Sequence, residues 1–352
     1  MGLETSAISL FSGAGGMDVG FQCAGFDVVW ANELMPHAAT TYDLNHCKGV
    51  MHPGDIKRFM ADLPESDIFC VFGGPPCQGF SVAGKMDLLD ERSQLVFSFM
   101  DVVQRTMPAT FVMENVKALA SLSKFSHVRY ELMKRANLMG YDANLYVLNA
   151  KEFGVPQSRE RAFFIGFRND LNVKFDHWNF EPYKCLPPTI KSVLTAIGQA
   201  GTQKNPLTCK ARISLAARPV MRKSPYAGML FNGLGRPLNT DGVSCTLPAS
   251  MGGNKTPIVD EGHVYKGESS WVEWYHAYLQ NGGLPLEMDA VPSRLRRITL
   301  KEAAAIQTFP DGYKFSGPIS SQYTQIGNAV PCKLAHAVAA AVLAAVKTHS
   351  LG

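Results

Sequence analysis

The sequence has no long apolar run and no cluster of cysteines. Its longest apolar tract, Ala335–Val346, is rich in alanine and too short to cross a bilayer, and the first thirty residues lack the basic start and apolar core of a signal peptide. The eight cysteines are scattered without a CxxC pair, a distribution that argues against a zinc cage or a disulfide framework. We therefore expect a cytoplasmic protein with reduced thiols, no metal and no membrane association.

Acidic residues are missing from one long segment. Between Pro182 and Thr240 the chain carries nine basic residues and no Asp or Glu, whereas the remainder has more acidic than basic residues. Charged residues make up 18% of the chain and hydrophobic residues 46%, which is typical of a folded globular protein. A basic segment in an otherwise acidic protein indicates a polyanion partner, although a solvated loop has the same composition.

The first 170 residues alternate short apolar runs with amphipathic stretches. This alternation predicts an α/β fold with βαβ units and a mainly parallel sheet. The predicted strands are Ala7–Phe11, Asp27–Ala31, Asp67–Phe72, Thr110–Met113, Asn144–Leu148 and Ala162–Phe167, and the predicted helices are Met17–Cys23, Pro36–Leu44, Ser93–Met107 and Phe125–Met139.

The composition and periodicity of the sequence change after about Asp176: proline and glycine become frequent and the helical periodicity is lost. We predict one domain over residues 1–176 and 314–352, and a smaller loop-rich domain over residues 177–313. The tail Cys332–Lys347 reads as a helix that packs back on the first domain.

A glycine-rich turn, Phe11–Met17 (FSGAGGM), joins the first predicted strand to a helix. Glycines there allow a ligand to approach the helix N-terminus closely. Glu33 follows the second strand, where a carboxylate can accept hydrogen bonds from a ribose diol, and Asp55 offers a third polar contact. The pattern predicts a nucleoside ligand and leaves NAD and S-adenosylmethionine open, although either carboxylate alone is more simply a helix cap.

The segment GGPPCQGFS at 73–81 places Cys77 on a stiff turn after the third predicted strand. A thiolate near a helix start or cationic groups is a good nucleophile. Glu114 ends the fourth strand, and QSRER at 157–161 holds Arg159 and Arg161, which share one side of an extended chain. Surface ion pairing explains any one of these charges, but together with the thiol they predict a catalytic cleft.

These motifs resemble, in order and over nearly the whole chain, those of the DNA (cytosine-5) methyltransferase family, in its prokaryotic modification type. FSGAGG (11–16) resembles the first motif, GGPPCQGFS the nucleophile motif, ENV (114–116) the carboxylate motif and QSRER the arginine motif. RRITLKEAAAIQTFPDGY (296–313) resembles the segment that supports the recognition domain, and GNAVP (327–331) the last motif, which completes the cofactor pocket.

The resemblance implies a Rossmann-like sheet that binds S-adenosyl-L-methionine, yields S-adenosyl-L-homocysteine and needs no metal, with residues 177–313 as the target recognition domain. The reaction would be methylation of cytosine C5 in a short duplex DNA sequence. Cys77 would add to C6 of a flipped-out base, Glu114 would protonate or hold N3 if burial raised its pKa, and Arg159 and Arg161 would orient both. Residues 79–92 would close over the base as a lid.

The resemblance also implies the binding residues. The cofactor would contact Phe11, Gly13, Ala14, Gly15, Gly16, Glu33, Leu34, Asp55, Ile56, Pro76, Leu95, Asn328 and Val330. DNA would contact Arg212, Arg218, Arg222, Lys223, Arg236, Thr246, Asn254 and Lys255, of which Thr246 belongs to a Thr-Leu pair common in such domains.

We expect a monomer, with any cognate restriction endonuclease acting separately. Three other functions remain open. A tRNA cytosine-5 methyltransferase is disfavoured by the large basic segment, which suits a duplex. A NAD-dependent oxidoreductase leaves the PPCQ, ENV and QSRER segments unexplained, and a DNA-binding regulator without activity does not need an intact Cys77, Glu114 and both arginines.

Overall fold

The structure, a computed structural model, describes residues 5–65, 67–76 and 91–349, with side chains from residue 95 to residue 348 in the last range. The chain divides into two compact units. The first unit is Met1–Phe153, Glu160–Cys185 and Val330–Gly352, and the second unit is Gly154–Arg159 and Leu186–Ala329. The predicted domain boundaries remain a prediction, because packing alone does not show what each segment binds.

The first unit is built on a seven-stranded sheet with the strand order β3-β2-β1-β4-β5-β8-β6. All its neighbouring strands pair in parallel except β8, which is antiparallel to both β5 and β6. The predicted α/β fold with a mainly parallel sheet is therefore confirmed. The strands are β1 (Ser6–Leu10), β2 (Asp27–Glu33), β3 (Met51–Pro53), β4 (Cys70–Gly73), β5 (Thr110–Val116), β6 (Tyr141–Asn149) and β8 (Glu160–Arg168).

α-Helices connect most of the successive parallel strands, as βαβ units require. The predicted helices are present with ends shifted by at most two residues, whereas strand β3 was not predicted, because three residues are too few for a period to be recognised. The helices are α1 (Gly16–Cys23), α2 (Pro36–Asn45), α3 (Glu91–Thr106), α4 (Lys117–Ser121), α5 (Ser126–Leu138) and α11 (Cys332–His349).

The core of the first unit lies between the sheet and its helices. Strand residues such as Ile8, Val71 and Phe111 pack with Phe99 of α3 and Leu132 of α5, all of them buried. Strands covered on both faces read as continuous apolar runs, which is why the central strands were readily predicted from the sequence.

The last helix, α11, packs against α1 in the first unit. A Cβ at Gly20 of α1 would overlap the backbone of His336 and the side chain of Ala335, so the two helices touch backbone to backbone. The stretch Ile319–Thr348 is apolar enough to span a membrane by length and composition, but its most apolar window is 72% buried inside the protein. A helix buried in this way belongs to the protein core.

The second unit has short strands and helices around its own core. Leu215, Phe231, Ile258, Val272 and Tyr275 form the centre of that core. The elements are β7 (Gln157–Ser158), α6 (Ile190–Ile197), β9 (Leu215–Val220), β10 (Met229–Phe231), β11 (Ser244–Cys245), β12 (Ile258–Asp260), α7 (Glu261–Tyr265), α8 (Trp271–Gln280), β13 (Leu295–Arg297), α9 (Leu300–Ile306) and α10 (Ile319–Asn328).

Candidate active site and DNA-binding surface

The glycine-rich turn lies at the carboxyl end of β1 and leads into α1. Gly13 and Gly15 have φ angles of 58° and 80°, and Phe11 has a φ of 52°, a conformation that costs a residue with a side chain some strain. A Cβ at Gly13 would meet no described atom within 4 Å. The turn thus leaves open space in front of the α1 N-terminus, where backbone N–H groups favour a polar or anionic ligand.

Glu33 at the end of β2 is tied to this turn. One of its carboxylate oxygens accepts a hydrogen bond from the Gly13 N–H at 2.8 Å, and the other accepts one from the Met35 N–H at 2.7 Å. Burial raises the pKa of Glu33 above its usual value, while these backbone donors act in the opposite direction. Glu33 therefore fixes the turn in shape as well as being a candidate for ribose binding.

The Gly54–Asp55 turn after β3 is held by Asn32, which the sequence analysis did not single out. The buried amide of Asn32 donates to the carbonyls of His52 at 2.7 Å and Gly54 at 3.0 Å. Asp55 caps a short 3₁₀ helix by accepting a hydrogen bond from the Lys57 N–H. The only sequence signal for this support was a polar amide at the end of an apolar strand, which does not reveal its partners.

The remaining candidate cofactor residues of the first unit differ in exposure. Leu34 is 58% exposed, whereas the side chain of Ile56 is 2% exposed and belongs to the core. Ile56 therefore offers little side-chain surface to a ligand, and its contact with the cofactor stays a prediction. Ala14 and Val330 are buried, Leu95 is half-buried and Pro76 is exposed.

The turn formed by residues 74–76 follows β4 at the same edge of the sheet, and Gly73 ends the strand. Asn115 of β5, also buried, donates a hydrogen bond to the Pro75 carbonyl at 3.2 Å, which anchors the turn immediately before Cys77. Gly73 is required here, because a Cβ would overlap the carbonyl oxygen of Leu10. Cys77 itself and residues 79–90 of the predicted lid lie outside the described residues.

Glu114 and Arg161 form a largely buried ion pair. The antiparallel register of β5 and β8 sets Arg161 opposite Val116 and Phe163 opposite Glu114, so Arg161 and Glu114 lie diagonally on one face. The Arg161 Nε lies 2.8 Å from a Glu114 carboxylate oxygen, and the two side chains are 15% and 12% exposed. The structure thus brings together two of the four predicted catalytic residues.

Arg159 belongs to the second unit and is buried there. Its guanidinium donates hydrogen bonds to the carbonyls of Leu247, Gly327 and Asn328 at 3.3, 2.9 and 3.4 Å. The expectation that Arg159 orients Glu114 stays a prediction. The three hydrogen bonds show that Arg159 holds backbone segments of the second unit together. Asn328, the last residue of α10, is exposed.

The candidate DNA-binding residues lie on the surface of the second unit. Arg212, Arg218, Arg222, Lys223, Arg236, Thr246, Asn254 and Lys255 are all exposed. In the part of the chain that the structure describes, none of the six basic ones forms an ion pair with a carboxylate.

Other arginines of the second unit are neutralised internally. Arg294 pairs with Asp260 at 2.5 Å, and Arg296 pairs with Glu261 and Glu302, both at 2.7 Å. The contrast indicates that the charges of the six exposed basic residues are left available for a polyanion.

The described residues bring no group of three His, Cys, Asp or Glu side chains together as metal ligands would lie. The groups placed at the carboxyl edge of the sheet are a glycine turn, the Glu33 carboxylate that binds this turn, and the Glu114–Arg161 pair. This combination on this sheet is that of a nucleoside-cofactor transferase of the α/β methyltransferase class.

Comparison with known proteins gives the family. Residues 5–344 match the model of the C-5 cytosine-specific DNA methylases, and the chain belongs to that family, whose members use S-adenosylmethionine. The predicted enzyme class and reaction, DNA cytosine-5 methylation, are thereby confirmed, and methylation of DNA is favoured over methylation of tRNA.

Named relatives agree with this assignment. The chain is 33% identical to the Type II methyltransferase M.NgoPII of Neisseria gonorrhoeae over 95% of this chain and 94% of that protein. It is 31% identical to M.FnuDI of Fusobacterium nucleatum over 94% and 92%. A solved structure described as a DNA modification methyltransferase encoded within an Escherichia coli prophage has the same fold, with a TM-score of 0.68, 23% identity and coverage of 97% and 99% of the two chains.

Proposed function

We propose that this methyltransferase modifies cytosine within one short duplex DNA sequence, and that Cys77 carries the reaction through a transient bond to C6. The buried Glu114–Arg161 pair is the observation that supports this proposal most directly. It puts a hydrogen-bonding carboxyl group with a fixed orientation at the sheet edge where the turn that leads to Cys77 also ends.

The chemistry explains why these residue types are needed. C5 of cytosine is a weak nucleophile, and addition of the Cys77 thiolate to C6 makes the ring an enamine that is nucleophilic at C5. The addition builds negative charge toward N3, which Glu114 can protonate or hydrogen-bond while Arg161 holds the carboxyl group in place. After methylation, loss of the C5 proton to a base expels the Cys77 thiolate and restores the aromatic ring.

S-adenosylmethionine supplies the electrophilic methyl group. We propose that Glu33 binds its ribose and that the turn Gly13–Gly16 approaches it closely, since Gly13 leaves the necessary space. Phe11 is half-buried beside the same turn, and an aromatic ring near a sulfonium is a favourable contact. Leu34, Asp55, Ile56, Pro76, Leu95, Asn328 and Val330 remain proposed contacts from the family resemblance.

The duplex would bind to the second unit through its unpaired basic residues, and the target base would leave the stack at a cost of a few kcal/mol. We further propose that the protein is a cytoplasmic monomer associated with DNA and acts as the modification half of a restriction–modification pair. The name Type II methyltransferase, which its relatives carry, supports this role.

The function is tested with the purified protein, S-adenosylmethionine and a plasmid library of random sequence. Bisulfite sequencing should reveal protected cytosines within one short motif, and their complete absence would refute the activity. Incubation with tRNA in parallel tests the RNA alternative: methylation of tRNA without methylation of duplex DNA would establish it instead.

The covalent step has its own test. A duplex with 5-fluorocytosine at the identified site should become joined to the wild-type protein through Cys77, because fluorine cannot leave as the C5 proton does. The Cys77→Ala variant should form no adduct and transfer no methyl group while it retains affinity for S-adenosylmethionine. An adduct at another residue would contradict the proposed role of Cys77.

A further inference from the structure

Two glutamines, Gln157 and Gln307, are completely buried in the second unit and bonded to each other. The Gln157 amide group donates to the Gln307 side-chain oxygen at 2.8 Å. Burial of two primary amides is unfavourable unless their hydrogen bonds are satisfied. Apolar side chains of similar size would fill the same volume without that requirement, so this pair needs a reason beyond packing.

The two amides connect backbone groups of distant segments. The oxygen of Gln157 accepts a hydrogen bond from the Leu247 N–H at 3.0 Å. At the other end, the amide nitrogen of Gln307 donates to the carbonyls of Ile326 at 2.6 Å and Ala329 at 3.1 Å. The backbone donor at one end and the backbone acceptors at the other determine which way both amides point.

The loop at Leu247 is held on its other side as well. Arg159 donates to the Leu247 carbonyl and to the Gly327 carbonyl, and a Cβ at Gly327 would overlap the backbone of Pro248 and Ala249. Strand β11 also pairs in parallel with β7, which contains Gln157. Both peptide groups of Leu247 are therefore fixed by buried side chains.

Gln307 is attached to a helix that is itself held in place by buried hydrogen bonds. Gln307 directly follows α9, whose first turn has a capping box between Thr299 and Glu302. Glu302 is fully buried and accepts two hydrogen bonds from Arg296, at 2.7 and 2.8 Å. A displacement of the loop at Leu247 would thus have to break hydrogen bonds to a fixed helix end.

The loop presents an exposed residue that we assign to DNA. Thr246 precedes Leu247, and its hydroxyl donates to the Ser158 carbonyl at 2.9 Å. Leu247 is buried and Thr246 is exposed. The position of the Leu247 backbone therefore determines the position of the Thr246 side chain on the protein surface.

We propose that Gln157 and Gln307 form an amide relay that positions the Thr246–Leu247 loop for DNA recognition. Both act as positioning residues, without contact with the substrate themselves. The proposal rests on the proposed function in that it takes this loop as part of the DNA-binding surface.

The test compares Gln307→Met with a matched control, Gln325→Met. Gln325 is a buried glutamine of α10 that donates to the Ser316 carbonyl at 2.9 Å, outside the relay. We expect Gln307→Met to raise the KM for DNA about tenfold, the usual scale of an energetic coupling between sites. Discrimination between the recognised site and sites with one altered base pair should fall by a similar factor, while kcat at saturating DNA and affinity for S-adenosylmethionine stay close to wild type.

A double-mutant cycle separates a relay from two independent packing effects. If the amides act as one unit, Gln157→Met combined with Gln307→Met should cost little more than either change alone. An unchanged KM and unchanged discrimination in folded Gln307→Met protein would overturn the proposal, as would equal losses in kcat and cofactor affinity. If the methionine variants do not fold, Gln307→Asn, which keeps an uncharged amide on a side chain one methylene shorter, is judged by the KM for DNA and by the discrimination between sites.

The failure of this proposal is distinct from failure of the proposed function. Wild-type protein that methylates duplex DNA establishes the activity whatever the Gln307 variants show. Wild-type protein without activity on duplex DNA would remove the basis of both.

Discussion

The Nε of Arg161 lies 2.8 Å from the carboxylate of Glu114, and both side chains are mostly buried. A second ion pair joins Lys117, the first residue of α4, to Glu160 of β8; it has the same separation but is about half exposed. Exposed pairs contribute little because water and salt screen them, whereas a desolvated pair loses much when one partner is removed. We therefore expect the loss of Arg161 to affect Glu114 more than the loss of Lys117 affects Glu160.

The first prediction concerns the carboxyl group of Glu114. Gln at this position keeps the shape but can neither protonate N3 nor pair with Arg161, so Glu114→Gln should lower kcat about a hundredfold or more. Affinity for S-adenosylmethionine should change little. Single-turnover transfer of a radiolabelled methyl group measures the first quantity and calorimetry the second.

Glu160→Gln is the matched control for this substitution, because it makes the same chemical change on an exposed side chain directly before Arg161 in β8. It should retain nearly full activity. Equal activity of the two variants would show that Glu114 has no part in the reaction.

The second prediction concerns Gly73, which ends β4 opposite Leu10 of β1. The Cβ of alanine would overlap the Leu10 carbonyl oxygen, so Gly73→Ala should lower the free energy of unfolding by about 3 kcal/mol. Gly253→Ala is the control, since a Cβ there meets no described atom within 4 Å, and it should change stability by less than about 0.5 kcal/mol. Urea denaturation followed by circular dichroism measures both, and similar midpoints would mean that β1 and β4 separate more easily than their packing indicates.

The sheet of the first unit was predictable because its strands are short apolar runs between turn signals, and every long strand and helix predicted before residue 170 is present. The paired arginines show the limit of that reasoning. Two residues that alternate along an extended chain should share one face, but the strand begins at Glu160, so Arg161 lies within β8 and Arg159 precedes it in the other unit.

Support residues were also hard to foresee from the sequence. Asn32, Asn115 and Gln307 act through hydrogen bonds to backbone groups 22, 40 and 19 residues away. Their partners are set by tertiary packing, so no local period marks them. The short elements of the second unit were not resolved for a similar reason, since strands of two or three residues depend on their neighbours rather than on their own propensity.

The third prediction concerns Asp18 in α1, which accepts a hydrogen bond from the Tyr42 hydroxyl at 3.0 Å. Burial raises the pKa of Asp18 from 3.8 to about 7. The folded protein therefore binds this proton more tightly than the unfolded chain does, and the free energy of unfolding should fall as the pH rises from about 4 to about 7.

Asp18→Asn removes the titrating group and should flatten this part of the stability profile. The variant should gain in melting temperature relative to wild type between pH 5 and pH 8, as measured by thermal denaturation across that range. Asp27→Asn, which alters an exposed aspartate of the same unit, should run parallel to wild type. A constant difference between Asp18→Asn and wild type at every pH would show that Asp18 is not the group that titrates.

The last prediction sorts the exposed basic residues of the second unit by what they contact in DNA. Arg218 lies on β9, and Arg222 and Lys223 follow that strand. A residue that neutralises a phosphate displaces a counterion, so its replacement by Gln should lower the slope of log K against log salt by about 0.9 and weaken all sequences alike. Replacement of a residue that reads a base should instead leave the slope nearly unchanged and weaken binding by about 1–3 kcal/mol at the recognised site only.

The control is Arg135→Gln in the first unit, where Arg135 already pairs with Asp101 and Glu131. It should alter neither the salt slope nor the affinity for the recognised site. Binding titrations at several salt concentrations, with the recognised duplex and a scrambled one, distinguish the two classes. If none of the three substitutions moves either quantity, DNA does not lie along this part of the second unit.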